Sequence, residues 1–297
     1  MHRVFLEHPH ISSYSFCLLL GFFAGFVLAR WNAKRSGLEG RHVDNVTLLL
    51  VVTGIVGARI FSWLLYFPPG IGFWQALFYP GGGLVFYGGV VFGLATVIVY
   101  TLLTRVSLRT FADVLAAPLA LGLAFGRIGC FMAGCCWGDL CVDDKTIAAL
   151  TPTQQAKVQT LPIMSRHGFP LAVRFPQDTG ALNQHHRLGL IPHNAERSLP
   201  VHPVQLYEAF LVLALAGWLQ WRRSKLHPAG QVFCLFAVGY GIIRFAVEFL
   251  RADNSPVYWG MTISQVISVV AIAACLPLLR VRNPTPQVAL AEPKAAS

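Results

Sequence analysis

Six ionisable side chains stand inside stretches of this sequence that are otherwise apolar: Arg59, Asp113, Arg127, Glu208, Arg244 and Glu248. Charge placed in hydrocarbon is costly, so such groups face a protein interior, pair with one another or serve a substrate. Arg244 and Glu248 are four residues apart, which puts them on one helix face within pairing distance. Arg59, Arg127 and Arg244 set against Glu208 and Glu248 leave positive charge in surplus. A guanidinium fork matches the oxygens of a phosphate. In a bilayer the abundant phosphate is a lipid headgroup, so these residues point to a phospholipid headgroup site. The bland alternative is a set of buried ion pairs that fixes helix packing.

A second group is sulfur. Cys130, Cys135, Cys136 and Cys141 follow Arg127 closely. Three readings stay open: a disulfide formed in an oxidising compartment (Cys136 with Cys141, or Cys130 with a neighbour), free thiols with redox or acyl-handling chemistry, or a metal site. The adjacent pair departs from the spaced pairs of usual zinc sites, so no metal is expected. Cys17, Cys234 and Cys275 stand singly in apolar runs and read as small packing residues. The pair His185-His186 reads as solvated. Glycines cluster at Gly81, Gly82 and Gly83, at Gly88 and Gly89 after Tyr87, and at Gly126, Gly129, Gly134 and Gly138 around Arg127. Small residues allow close approach of helices.

The elements that must position these groups are helices in lipid. Hydrophobic residues make up 55% of the 297 and charged residues 12%, against about 25% charged in a soluble domain. Mean hydropathy is +0.57. The expected class is all-α: a polytopic membrane protein with about seven transmembrane helices, because the apolar runs are near the length of a span and too long for barrel strands. The runs are residues 12–28, 46–66, 84–103, 111–131, 203–221, 231–250 and 262–279. Residues 73–79 are too short to span and read as interfacial. The division expected is a membrane core over 1–136, a polar extracytoplasmic arm over 137–202, a second part of the core over 203–282 and a disordered tail over 283–297. The arm reads as either a small strand-containing domain or a partly mobile segment.

The net charge of +10 does not indicate nucleic acid, because the positives lie in short connections between apolar runs. Lys and Arg gather after the first, third, fifth and seventh runs (Arg30 to Arg41, Arg105 and Arg109, Arg222 to Lys225, Arg280 to Lys294). The alternate connections hold only Arg3 and Arg251 once the arm is set aside. That bias places the amino terminus and the arm outside and the carboxyl terminus inside. Five of the six intramembrane charges then fall near the outer face, with Asp113 near the inner one. Residues 1–13 lack a basic leader and no small-residue cleavage site follows, so no cleavable signal peptide is expected.

Several runs resemble the prolipoprotein diacylglyceryl transferase family: Gly126-Arg127-Ile128-Gly129-Cys130-Phe131 through Gly138, His202-Pro203-Val204-Gln205-Leu206-Tyr207-Glu208, and Arg244-Phe245-Ala246-Val247-Glu248-Phe249. Gly57-Ala58-Arg59, Ala112-Asp113 ahead of Ala117-Pro118, and Ser13-Tyr14 also match, in the family's order. The arm is not covered. The resemblance implies a bacterial inner-membrane enzyme of lipoprotein biosynthesis, with seven helices and no cofactor. Such an enzyme moves the diacylglyceryl group of phosphatidylglycerol to the lipobox cysteine thiol of a preprolipoprotein. It implies headgroup or catalytic roles for Arg127, Arg244, Glu248 and Tyr14, and substrate contacts for Arg59, Asp113, Gly88, Gly89, Gly138 and Glu208.

The chain departs from the pattern at informative places. Cys130, Ala133 and Cys135 stand where the family has Asn, Asn and Glu, and Tyr87 stands in place of a His. A base is thus missing, with His202 or Glu248 as substitutes, His202 slightly favoured. Tyr87 can donate to a phosphate oxygen but is a poor base at its ordinary pKa near 10. Two rival readings remain: the same scaffold turned to another acceptor or to thiol chemistry, and a phospholipid-binding protein without catalysis.

Overall fold

A computed structural model of the protein describes residues 4–6, 11–67, 70, 72–78, 83, 85–160, 169–225, 228–253 and 259–280. The tail over 283–297 and the glycines Gly81 and Gly82 lie outside the described residues. Among the described residues six helices are long and apolar enough to cross a membrane: α1 (Ser13–Arg35), α2 (Gly40–Tyr66), α4 (Phe86–Thr104), α5 (Leu108–Ala133), α9 (Val204–Arg223) and α10 (Gln231–Glu248). A further apolar helix, α11 (Ile263–Arg280), has 18 residues. The protein is an all-helical polytopic membrane protein, apart from a small amino-terminal hairpin of β1 (Val4–Leu6) and β2 (Ile11–Ser12). Short helices fill the connections: α3 (Phe73–Phe78) between α2 and α4, and α6 (Asp144–Ala148), α7 (Pro152–Thr160) and α8 (Gly180–Arg187) between α5 and α9.

Helices overrun the apolar stretches at their polar ends. α1 continues past residue 28 to Arg35, whose guanidinium stacks 3.8 Å over the Trp31 ring. Lys34 and Arg35 in its last turn also complement the helix dipole. α2 begins six residues before its apolar run, and Asp44 on its first turns pairs with Arg30 at 3.4 Å.

The described residues form two compact units, those within 4–25, 116–225 and 234–280 in one and those within 26–115 and 228–233 in the other. In the second, α2 and α4 touch backbone to backbone: a Cβ on Gly57 would stand 2.6 Å from the Gly88 carbonyl, and a Cβ on Gly88 would strike that of Gly57. In the same unit Ala29, Ala33, Val43, Val46, Phe111 and Val114 form a buried cluster.

Proline inside a spanning helix needs a remedy, because it has no N–H for the carbonyl four residues back. In α5 Pro118 leaves the Val114 carbonyl without that donor. Asn32, fully buried on α1, supplies one from Nδ2 at 3.2 Å.

In the first unit the stretch between α5 and α9 has a core of its own, with Trp137, Val142, Val158, Phe175, Leu182 and Leu190 among its buried residues. Of the two forms left open for the arm, its described residues take the packed one, built from short helices and isolated bridges. His185 differs from the solvated reading: it is 3% exposed and its Nδ1 accepts the Leu199 N–H at 3.2 Å. Burial pushes it down to about 4, so it is neutral.

The Asn32–Val114 bond can be tested by a double-mutant cycle. Asn32→Ala should cost about 1–3 kcal/mol, the penalty of an unsatisfied buried carbonyl. In a Pro118→Ala background the restored backbone N–H reaches Val114, so the same substitution should cost measurably less by unfolding in detergent. Equal costs in both backgrounds would refute the compensation.

Candidate functional site

Three stretches of chain are laced together where α5 ends, α9 begins and α10 ends. Gly138 N donates to His202 O at 3.0 Å, and His202 N donates to Asp139 O at 3.0 Å. On the other side Asp139 N donates to Leu250 O at 2.9 Å, and Ala252 N to Trp137 O at 3.2 Å. The central strand must be glycine at 138: a Cβ there would lie 2.7 Å from the His202 carbonyl and 2.8 Å from that of Leu250. Gly138, expected at the substrate, is in this structure the crossing point of the frame. Trp137 extends the tie by donating Nε1 to Gln184 Oε1 at 2.8 Å, and Gln184 Nε2 reaches Ala252 O at 3.3 Å. Asp139 is 9% exposed, and burial pushes it up to about 6.

This frame sets the facing residues of α5, α9 and α10. Arg127 on α5 meets Glu208 on α9, Nε to Oε1 at 2.9 Å. Tyr240 on α10 donates its hydroxyl to the same Oε1 at 3.3 Å and accepts from Arg127. Arg244, one turn further along α10, brings Nη1 to 3.7 Å from Glu208 Oε2 and Nη2 to 2.6 Å from Glu248 Oε2. Its Nη2 also donates to Ser264 Oγ of α11 at 2.9 Å. Glu248 accepts the Thr262 hydroxyl on Oε1 at 2.6 Å, and Arg251 Nε stands 3.9 Å from its Oε2. Thr262 and Gln265 cap α11 reciprocally, with bonds of 3.0 and 3.3 Å between each backbone N–H and the other's side chain. Glu208 is 2% exposed, Glu248 4% and Arg244 8%.

The charge count differs from the sequence expectation. Arg251 pairs with Asp253 through two bonds of 2.9 and 2.8 Å. Within this unit Arg127, Arg244 and Arg251 therefore face Glu208, Glu248 and Asp253, and no surplus of positive charge remains among them. Balance is what a buried cluster requires, since an uncompensated ion out of water costs several kcal/mol. One donor stays open. Arg244 Nη1 is buried and makes no hydrogen bond among the described residues.

Arg59, Tyr87, Gly88, Gly89 and Asp113 belong to the other compact unit. There Arg59 Nη1 donates to Gly83 O at 3.2 Å, Tyr87 is 44% exposed, and Gly88 and Gly89 form the α2–α4 crossing. Asp113, expected at the substrate, spends both oxygens on the start of α10. Its Oδ2 accepts the Gly230 N–H at 2.7 Å and its Oδ1 that of Phe233 at 2.8 Å. It is a helix cap borrowed from another helix. Tyr14 lies in the cluster's unit and in electrostatic reach of Arg127 and of Cys130, Cys135 and Cys136. Its ring packs on Gly129, where a Cβ would come within 3.1 Å.

His202 precedes α9. Its Nδ1 lies 3.1 Å from the Tyr207 hydroxyl and its ring 5.1 Å from that of Phe169. Burial lowers its pKa below the ordinary value of 6.5. Tyr207 also lines an apolar groove of about 590 Å³ with Leu171, Val173, Pro203, Leu206, Phe210 and Leu211.

All seven cysteines are thiols. The Cys136–Cys141 disulfide is not formed, and the sulfurs that gather are Cys130, Cys135 and Cys136, within 4.8 Å of one another. Hydrogen bonds from Cys130 and Cys135 hold Cys136 below the usual thiol range and Cys135 correspondingly above it. Cys141 is apart, its Sγ 3.9 Å from the Asp139 carbonyl, and burial raises it to about 12.

Sequence reasoning passed over Tyr240, Gln205, Ser264 and Thr262. Tyr240 was within reach, since 240, 244 and 248 share one helix face. Gln205 donates Nε2 to Cys135 O at 2.6 Å and is 1% exposed. Ser264 and Thr262 carry no signal until α10 and α11 are packed.

The family described as prolipoprotein diacylglyceryl transferase matches residues 3–281. A phosphatidylglycerol–prolipoprotein diacylglyceryl transferase of Xylella fastidiosa (strain M12) is 31% identical over 293 residues, covering 92% of this chain and 90% of its own. Proteins of the same name from Clostridium tetani and Treponema pallidum are each 28% identical. They cover 88% and 90% of this chain, and 89% of their own length in both cases.

Proposed function

The chain belongs to the prolipoprotein diacylglyceryl transferase family, and from that premise we propose that it transfers the diacylglyceryl group of phosphatidylglycerol to the lipobox cysteine thiol of a preprolipoprotein. The protein works in the bacterial inner membrane with its amino terminus and the site on the outer side, in keeping with the Lys and Arg bias of the short connections.

The observation that carries this reading is the pair of guanidiniums anchored on one buried carboxylate. Glu208 takes Arg127 by Nε and stands behind Arg244, whose buried Nη1 still has a bond to give. A phosphate oxygen is the natural acceptor for that donor. The lipid phosphate binds here with its ester oxygen toward the diacylglyceryl carbon. The acceptor thiolate attacks that carbon, a carbon–sulfur bond forms, and the carbon–oxygen bond to phosphate breaks. The glycerol phosphate departs with the electron pair. Charge grows on the leaving oxygen as the bond breaks, and preorganised guanidiniums stabilise it without reorganising.

The thiol proton needs an acceptor. Both Glu248 oxygens are engaged, by Thr262 on one side and by Arg244 on the other. His202 is the better base: burial keeps its imidazole neutral at pH 7, and Tyr207 orients it through Nδ1.

Purified protein given labelled phosphatidylglycerol and a lipobox peptide should pass label to the peptide thiol and release glycerol phosphate, with no transfer to a Cys→Ser peptide. Arg127→Ala and Arg244→Ala should each lower kcat/KM at least about 100-fold. Lipid that stays bound and unconsumed, or variants that match the parent, would sink the reading. As pH falls, His202 gains a proton and stops accepting one, so kcat/KM should decline with a midpoint below 6.5. That limb should vanish in His202→Gln, and a limb unchanged by this substitution would place the base elsewhere.

A further inference from the structure

We propose that Cys130, Cys135 and Cys136 form a three-thiolate binding site for a thiophilic d10 cation, zinc(II) or copper(I). The sulfurs lie within 4.8 Å of one another and in mutual hydrogen-bond contact. A metal–sulfur bond of about 2.3 Å requires sulfurs about 3.8–4.0 Å apart in a tetrahedral or trigonal site. Rotations of the side chains are enough to meet that requirement, and three soft ligands select these metals over hard cations.

Sequence adjacency does not by itself produce this geometry. Cys130 lies on α5, and the other two reach it only because the chain doubles back after Ala133. Gly134 at φ +70° and Cys136 at φ 60° make the reversal, closed by the Cys135 N–H on Cys130 O at 3.1 Å. The turn is pinned: a Cβ on Gly134 would stand 2.9 Å from Thr179 Cβ and closer still to its methyl. The three thiols are thus held together before any cation arrives.

The surroundings suit an anionic metal–thiolate. Binding breaks three S–H bonds, sends three protons to solvent and forms three metal–sulfur bonds, with no change of oxidation state. The product carries one negative charge with zinc(II) and two with copper(I). Arg127 and Arg251 are the cations that act on Cys136. Gln205 donates Nε2 to Cys135 O, while its buried Oε1 has no partner among the described residues and offers a further oxygen beside the turn. Cys141 is excluded because its sulfur is not among those that converge. Cys130 lies one helical turn beyond Arg127, so a bound cation would also fix the end of the helix that presents this arginine.

The test uses the full chain in detergent, reduced with a phosphine. Cobalt(II), as a coloured stand-in for zinc(II), should bind once per chain with sulfur-to-cobalt charge-transfer bands in the near ultraviolet. Copper(I) should be withdrawn from a chromophoric chelator at the same stoichiometry. The relative strength of the two titrations assigns the cation. Cys130→Ser, Cys135→Ser and Cys136→Ser should each weaken binding at least about 100-fold, while Cys141→Ser should leave it unchanged. If Cys130→Ser fails to fold, the two loop variants decide alone. Binding no tighter than in the triple serine variant would overturn the proposal. So would a disulfide joining two of the three cysteines in protein purified without reductant, found by mass of its peptides.

Discussion

A carboxylate that is 2% exposed in the interior of a membrane protein is tolerable only if cations hold it. Glu208 meets that condition with Arg127 on one oxygen and Arg244 behind the other. The demand organises its unit. It fixes which faces of α5, α9 and α10 turn toward one another, and it recruits α11 through Ser264 and Thr262. The laced strands around Gly138 hold the ends of the same three helices close enough for the ion pairs to form.

Under the proposed function, the balance of charge in the cluster serves the binding of phosphate. A surplus of arginine would attract phosphate, but would also repel itself in the absence of lipid. Three guanidiniums matched by three carboxylates can persist unliganded, with orientation supplied by the carboxylates and one buried donor kept in reserve on Arg244. In the proposed reaction phosphate adds to a network that is already in place, the condition under which electrostatic stabilisation of a leaving group is strongest.

Features that depend on local spacing could be read from the sequence. The Arg244–Glu248 pair, the long apolar runs and the concentration of glycine around Arg127 were all visible there. Features that depend on a distant partner were not. Asp113 looked like a buried charge awaiting a substrate, because its partners at Gly230 and Phe233 are backbone groups over a hundred residues away. Asn32 matters because Pro118 leaves a carbonyl without its usual donor. His185 looked solvated because the arm's core is assembled from scattered apolar residues with no periodic signal. The cysteines showed their number and order but not their convergence, which rests on two positive φ angles after α5.

The most direct test of the account is the affinity for phosphatidylglycerol after Glu208→Gln, in protein reconstituted into neutral lipid. The substitution removes a negative charge and nearly nothing else. If Glu208 acts by holding Arg127 and Arg244 in register, phosphatidylglycerol should bind at least about tenfold more weakly, a loss of about 1.4 kcal/mol. If the cluster is only a reservoir of positive charge, removing a carboxylate strengthens the attraction for phosphate. Tighter binding by the variant would contradict the account.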